Sequence, residues 1–236
     1  MTRVPFASIL IATFACFDVC AIGAIAAEPP VGNGVHYVYV VRHGSYDREP
    51  GAGDDRVHNG LNAVGHEQAR LVGVRLASLP VHIDRLVSSE LLRAKQTADD
   101  IGKVLHMTPS REASLDECHP TSIDTSAAPV DRARAAACDT ARAREWSRWF
   151  SATPAHDTID VLVTHGNVIR WTLLRALGAD TKTWPLIDSA NASLTLFAVA
   201  PDGGVHVVSY DDVGHLPVAV QTWAGTGGGY TARSAR

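Results

Sequence analysis

The chain has 236 residues, of which 46% are hydrophobic and 19% charged, with a formal charge of -4. That balance belongs to a globular protein long enough to bury one sizeable core, and excludes a disordered or fibrous chain. The charge is slightly acidic and no basic stripe with interleaved aromatics is present, which argues against nucleic acid as a partner.

The N-terminus differs in character from the rest. Arg3 precedes an apolar stretch from Val4 to Phe17, and small residues lead on to Ala24-Ile25-Ala26. A basic start, an apolar middle and a small-residue site predict a signal peptide over residues 1–26, and so a periplasmic or secreted protein. Left uncleaved, residues 4–27 are instead a membrane anchor, the one route by which a membrane becomes a partner. The uninterrupted run is shorter than the roughly 20 residues of a comfortable span, which favours the cleaved signal. Cys16 and Cys20 fall in this segment. Cys118 and Cys138 remain, and an exported setting favours a disulfide between them over two free thiols.

Residues 28–34 are a Pro/Gly-rich lead-in to a strand over 35–42, whose centre is Val38-Tyr39-Val40-Val41. Gly44 to Gly60 is a polar, glycine-rich loop. Leu61 to Leu79 has helical periodicity, with Asn62 as cap and Pro80 as stop. A second strand is predicted at 83–87, and Ser88-Ser89 as the cap of a helix from Glu90 to about Leu105. Residues 108–130 read as irregular. An Ala/Arg-rich helix follows over about 130–151, with Arg132, Arg134, Arg142, Arg144 and Arg148 forming a solvated face. The run from Thr158 to Thr164 is a buried strand, turned by His165-Gly166-Asn167 into a helix over 168–177. Ala192–Ala200 and Val205–Tyr210 flank Pro201-Asp202-Gly203-Gly204 as a hairpin. The domain spans 27–224 and the glycine-rich stretch 225–236 is a flexible tail. Strands alternating with helices predict one α/β domain with a largely parallel sheet.

Two predicted strand tips carry a histidine followed by glycine, Arg42-His43-Gly44 and Thr164-His165-Gly166. A third, Ser88-Ser89-Glu90-Leu91-Leu92-Arg93, places an arginine in the first turn of a helix. Parallel strands put their C-terminal ends at one edge, where ligands of open α/β sheets bind. Two guanidiniums, two imidazoles and the helix N-termini behind Ser89 and Asn167 suit a phosphoryl dianion.

These residues resemble the histidine phosphatase superfamily. The likeness rests on Val40-Val41-Arg42-His43-Gly44, Leu61 to Ala69, Ser88 to Ala98 and Val163-Thr164-His165-Gly166, in that order on matching elements. Within the superfamily the chain is most similar to the phosphoglycerate-mutase-like branch and its mitochondrial serine/threonine phosphatases. That narrower likeness rests on Arg42 to Tyr46, Gly73 to Leu79, Asn167 to Arg170, Arg175-Ala176-Leu177 and Gly214 to Pro217. The resemblance implies a three-layer α/β/α sandwich and hydrolysis of phosphomonoesters, on phosphoproteins or small molecules. His43 would attack phosphorus and carry a phosphohistidine. Arg42, Arg93, His165 and Gly166 would bind the phosphoryl group. His165 also counts as catalytic, and a carboxylate of Leu115-Asp116-Glu117 would be the general acid, Glu117 ahead of Asp116.

No cofactor is called for, and no metal, because the two arginines take a cation's role. Other histidines, such as His58, His66, His119 and His215, show no metal-ligand spacing. Ser89 and Asn167 read as helix caps, Arg170 and Arg175 as structural or surface charges, and Tyr46 and His119 as rim residues. Three rivals stand beside the phosphatase: a phosphoglycerate mutase, the acid phosphatase and phytase branch, and a non-catalytic phosphate-binding module. An exported mutase would lack its cytosolic substrates. In the second, an arginine stands where this chain has Tyr46.

Overall fold

A computed structural model describes residues 32–51, 53–123, 132–151 and 154–223. The N-terminal segment 1–26, the alternative anchor 4–27 and the tail from 225 lie outside the described residues. Six strands are formed: β1 His36–Arg42, β2 Arg85–Ser88, β3 Ser110–Arg111, β4 Thr158–Thr164, β5 Leu194–Val199 and β6 Val205–Asp212. The helices are α1 Ala63–Ala77, α2 Leu92–Leu105, α3 Arg132–Phe150 and α4 Gly166–Ala176.

The strands form one sheet in the order β3-β2-β4-β1-β5-β6. The first four run parallel, and β5 and β6 add an antiparallel edge. The centres of β1 and β4, Val38–Val41 and Val161–Val163, read as apolar runs because both faces of the sheet are covered there. On one face Val41, Val161 and Val163 pack with Val72 and Leu76 of α1 and Ala94, Ala98 and Ile101 of α2. On the other, Val38, Val40 and Leu162 pack with Trp149 and Phe150 of α3, Ile169 of α4 and Phe197. The α/β fold is therefore a sheet between two helical layers, as the sequence and the family resemblance led one to expect.

Three local readings are corrected. First, α2 starts at Leu92 rather than Glu90, and no side chain caps it. The amide of Leu92 instead donates to the Asp55 carbonyl at 2.8 Å. Second, the stretch after residue 108 is not wholly irregular. It adds the two-residue β3 and a 3-10 turn at Ala113–Leu115, both too short to show a period. Third, α3 does not keep all its arginines in solvent. Ala135, Cys138, Arg142 and Trp149 share its buried face, at helical spacing, and Arg142 donates from Nη2 to the Ser114 carbonyl. Cys118 and Cys138 are joined, with Cα atoms 5.8 Å apart, so the loop after β3 is tied to α3.

The N-terminus of α1 is pressed against the loop that follows β1. Asn62 caps α1, its side chain accepting from the amide of Gly65 at 2.9 Å. A β-carbon on Gly65 would collide with the Ser45 carbonyl, and one on Gly44 would stand 2.5 Å from the Gly65 carbonyl. Both clashes are with backbone, which cannot swing away as a flexible side chain would. Gly65→Ala is therefore expected to lower stability by about 1–3 kcal/mol, as overpacking does. Urea denaturation checks this, and an unchanged midpoint would contradict it.

Candidate active site

The register of the parallel strands brings the site together. Arg42 lies opposite Thr164, and Ser88 opposite Val163. His43, Ser89 and His165 thus follow their strands at one level of the same edge. The His43 backbone is fixed on both sides: its amide donates to the Thr164 carbonyl at 2.9 Å, and its carbonyl accepts from the Ala192 amide and from Asn191 Nδ2, each at 3.2 Å. The next two amides are held by side chains, Gly44 by Thr97 Oγ1 at 3.0 Å and Ser45 by Gln68 Oε1 at 2.8 Å. Gln68 in turn donates to Thr222, which donates to Asn191.

The His43 ring is 2% exposed. Its Nδ1 lies 2.8 Å from the Gly44 carbonyl, which can only accept, so Nδ1 carries the proton. Nε2 therefore keeps its lone pair and accepts from Arg93 Nε at 3.3 Å. Burial, with Arg42 and Arg93 alongside, holds the ring's proton affinity well below the ordinary histidine range. Tyr46 stands edge-on to the ring with centroids 5.4 Å apart, and Arg93 lies 5.0 Å over the Tyr46 face.

Both arginines are buried. Arg42 donates from Nη1 to the Ser189 carbonyl, while its buried Nε has no partner. Among the described residues no carboxylate forms an ion pair with Arg42, although Arg93 pairs with Asp55 at 2.7 Å. Gly166 sits close by, and a β-carbon there would be 3.4 Å from Cζ and Nε of Arg42. A buried guanidinium with an uncommitted N–H is costly unless an anion meets it.

His165 is fully buried, with its ring centroid 5.1 Å from that of His43. Its Nε2 is 2.8 Å from Ser89 Oγ, and Ser89 donates to Asp116 Oδ1 at 2.7 Å. Its Nδ1 has no hydrogen-bond partner and lies 3.9 Å from Glu117 Oε2. Burial, aided by His43, Arg93, Arg42 and Arg142, keeps this ring neutral too. Glu117 is anchored by the α4 N-terminus, where the Asn167 amide donates to Oε1 at 3.2 Å and leaves Oε2 uncommitted. Burial raises its carboxyl above the usual carboxylate range, against the pull of Arg42, Arg93, Arg170 and that amide.

The structure thus gathers His43, Arg42, Arg93, His165, Gly166 and Glu117 at one edge. Asp116 is not free for proton transfer, since Oδ1 also accepts from the Glu90 amide at 2.7 Å and Oδ2 pairs with Arg56. Ser89 and Asn167 are not the caps the sequence suggested: Ser89 serves His165, and Asn167, inside α4, donates from Nδ2 to the Cys118 carbonyl at 3.1 Å. Arg170 is structural, bonded to the Gly166 and Ile187 carbonyls and to Asn167. His119 packs edge-on against Trp184, with centroids 6.4 Å apart. Asp55 escaped sequence reading because nothing in a polar loop marks one acid as an arginine's partner. Arg142 was open to detection, since it continues the inward spacing of Ala135 and Cys138.

The sequence matches the histidine phosphatase superfamily (branch 1) over residues 38–134 and 124–212. It is 30% identical over 192 residues to the mitochondrial serine/threonine-protein phosphatase PGAM5 of Rattus norvegicus, covering 77% of this chain and 64% of that protein. The mitochondrial serine/threonine-protein phosphatase Pgam5 of Caenorhabditis elegans is 31% identical over 188 residues, with 76% and 64% covered. The chain therefore spans just under two thirds of these relatives' length. Among solved structures, the phosphoglycerate mutase of Plasmodium falciparum superposes with a TM-score of 0.54 at 21% identity, over 78% of this chain and 96% of that one. That likeness supports the fold alone. The relatives are mitochondrial by name, which overturns the periplasmic or secreted placement read from residues 1–26. No described helix is long and apolar enough to cross a membrane.

A match over most of the chain, relatives at about 30% identity, and the strand-tip histidines and arginines all agree: the chain belongs to the histidine phosphatase superfamily, branch 1.

Proposed function

We propose that this protein is a phosphomonoesterase that works through a phosphohistidine on His43. The observation that carries the reading is the pairing of a neutral, buried imidazole with two buried guanidiniums, one of them with an uncommitted N–H. A phosphoryl group supplies the anion that Arg42 lacks, and places phosphorus within reach of a nitrogen lone pair.

In the first half of the reaction His43 Nε2 attacks phosphorus and the P–O bond to the leaving group breaks. Arg42 and Arg93 neutralise charge on the equatorial oxygens, as cations do in other phosphoryl transfers. Glu117 gives its proton to the departing alkoxide. In the second half the Glu117 carboxylate takes a proton from water, which attacks the phosphohistidine and frees His43. The amide of Asn167 on Oε1 leaves Oε2 as the oxygen that carries this proton. Hydrolysis is favoured over simple phosphate binding because a neutral nucleophile and a raised carboxyl serve no purpose in holding an anion. Phosphorylated molecules are the substrate class. The names of the relatives favour phosphoserine and phosphothreonine in proteins over a mutase reaction.

The test is hydrolysis of p-nitrophenyl phosphate and of a phosphoserine peptide without added metal. His43→Ala is expected to lower kcat at least about a thousandfold on both. Glu117→Gln should lower kcat/KM, which reports the phosphorylation half alone, about 10²–10⁴-fold on the peptide, and far less on p-nitrophenyl phosphate, whose leaving group needs no proton. Undiminished turnover by His43→Ala, or equal losses on both substrates in Glu117→Gln, would overturn these roles.

The neutral histidines also set a pH dependence. Their proton affinities are depressed in the folded chain, so the unfolded chain binds protons that the native one refuses. Their contribution to stability is full above about pH 6.5, the unfolded value, and is lost as the pH falls from there towards the folded values. Glu117 acts in the opposite sense, because a raised carboxyl stabilises the fold in acid and ceases to as the pH climbs through the carboxylate range. The urea midpoint is expected to fall on acidification below about pH 6.5, and to fall less steeply in His43→Asn. Parallel curves would contradict a neutral His43.

A further inference from the structure

Asp116, Ser89 and His165 form a chain of hydrogen bonds whose direction is fixed by what each group can donate. Asp116 Oδ1 accepts from the Glu90 amide and from Ser89 Oγ, and Oδ2 pairs with Arg56 at 3.3 Å, so this side chain acts only as an acceptor. The single hydroxyl proton of Ser89 is thereby spent. Ser89 Oγ is left with lone pairs, which receive the Leu91 amide at 3.1 Å and His165 Nε2 at 2.8 Å. His165 must then carry its proton on Nε2. The uncommitted nitrogen, Nδ1, holds a lone pair and is shut off from solvent.

A lone pair repels a phosphoryl oxygen. We propose that Ser89 and Asp116 are positioning residues that lock His165 in the Nε2–H form, so that His165 holds a phosphoryl group only by gaining a second proton on Nδ1. The site therefore takes up one proton from solvent for each dianion bound. The proposal rests on the phosphomonoesterase reading. The groups facing His165 are His43 and Arg42 at the end of β1, Arg93 on α2, Arg142 on α3, Glu117 on the loop after the 3-10 turn, and Asp116 through Ser89. Without a ligand the cations among them, together with burial, keep the ring neutral. A bound dianion offsets their charge and makes imidazolium the favoured form. No bond other than N–H and its hydrogen bond is made.

The experiment is calorimetric titration of the full chain with inorganic phosphate at about pH 8.5, where free phosphate is the dianion and free histidine is neutral. Repeating it in two buffers of different ionisation enthalpy gives the proton count. Uptake of about one proton per phosphate is expected, with affinity falling about tenfold per pH unit above that point. In Ser89→Ala the ring is released to carry its proton on Nδ1, so uptake should drop below about half a proton and the pH slope should flatten. Ser89→Thr, which keeps the hydroxyl, should restore both. Binding without proton uptake in the unaltered protein, or unchanged uptake in Ser89→Ala, would overturn the relay. Absence of phosphate binding together with absence of p-nitrophenyl phosphate turnover would overturn the phosphomonoesterase reading itself. Turnover by the unaltered protein separates the two failures.

Discussion

Burying two guanidiniums beside two imidazoles is the constraint on which the rest of this structure depends. Arg42 and Arg93 lie almost wholly out of solvent, and Arg42 has no carboxylate partner among the described residues. Their charge and the burial act in the same direction on His43 and His165, refusing both a proton. The two rings therefore sit 5.1 Å apart without mutual repulsion. The same surroundings pull Glu117 both ways, and burial prevails over the cations. One electrostatic arrangement thus gives a neutral nucleophile, a carboxyl that holds its proton more tightly than a solvated one, and an unmet demand for an anion.

Holding that arrangement takes much of the fold. The His43 loop is fastened by strand β4, by the Asn191–Ala192 turn, by Thr97 of α2 and by Gln68 of α1. The contact between Gly44, Gly65 and Ser45 lets α1 approach as closely as backbone allows. On the acid's side, the Cys118–Cys138 disulfide and the bond from Arg142 to the Ser114 carbonyl tie the Glu117 loop to α3, and Asn167 ties it to α4. The nucleophile is thus braced mainly from the α1/α2 layer and the acid mainly from the α3/α4 layer.

What could be read from sequence follows the physics of each element. β1 and β4 were legible because strands buried on both faces leave an apolar run, and the RHG and THG triplets announced their tips. Asn62 and Pro80 marked the limits of α1. β3 was invisible, since two residues on a sheet edge leave no period. Ser89 was misread because a serine before a helix usually caps it. Only the fold brings Asp116 close enough to turn its hydroxyl towards His165. Asp55 and Asn191 reach the site across long stretches of chain, and no local pattern foretells such a contact. The N-terminal composition did suggest export, but a basic and apolar leader is compatible with more than one destination, and the relatives' names point away from export.

The central claim is that phosphate passes through Nε2 of His43, and trapping the covalent species tests it most directly. Rapid mixing with p-nitrophenyl phosphate, an alkaline quench and peptide mass spectrometry should find phosphate on His43, stable in base and lost in acid. Phosphate on any other residue, or steady turnover with no phosphorylated peptide at any time, would contradict the assignment.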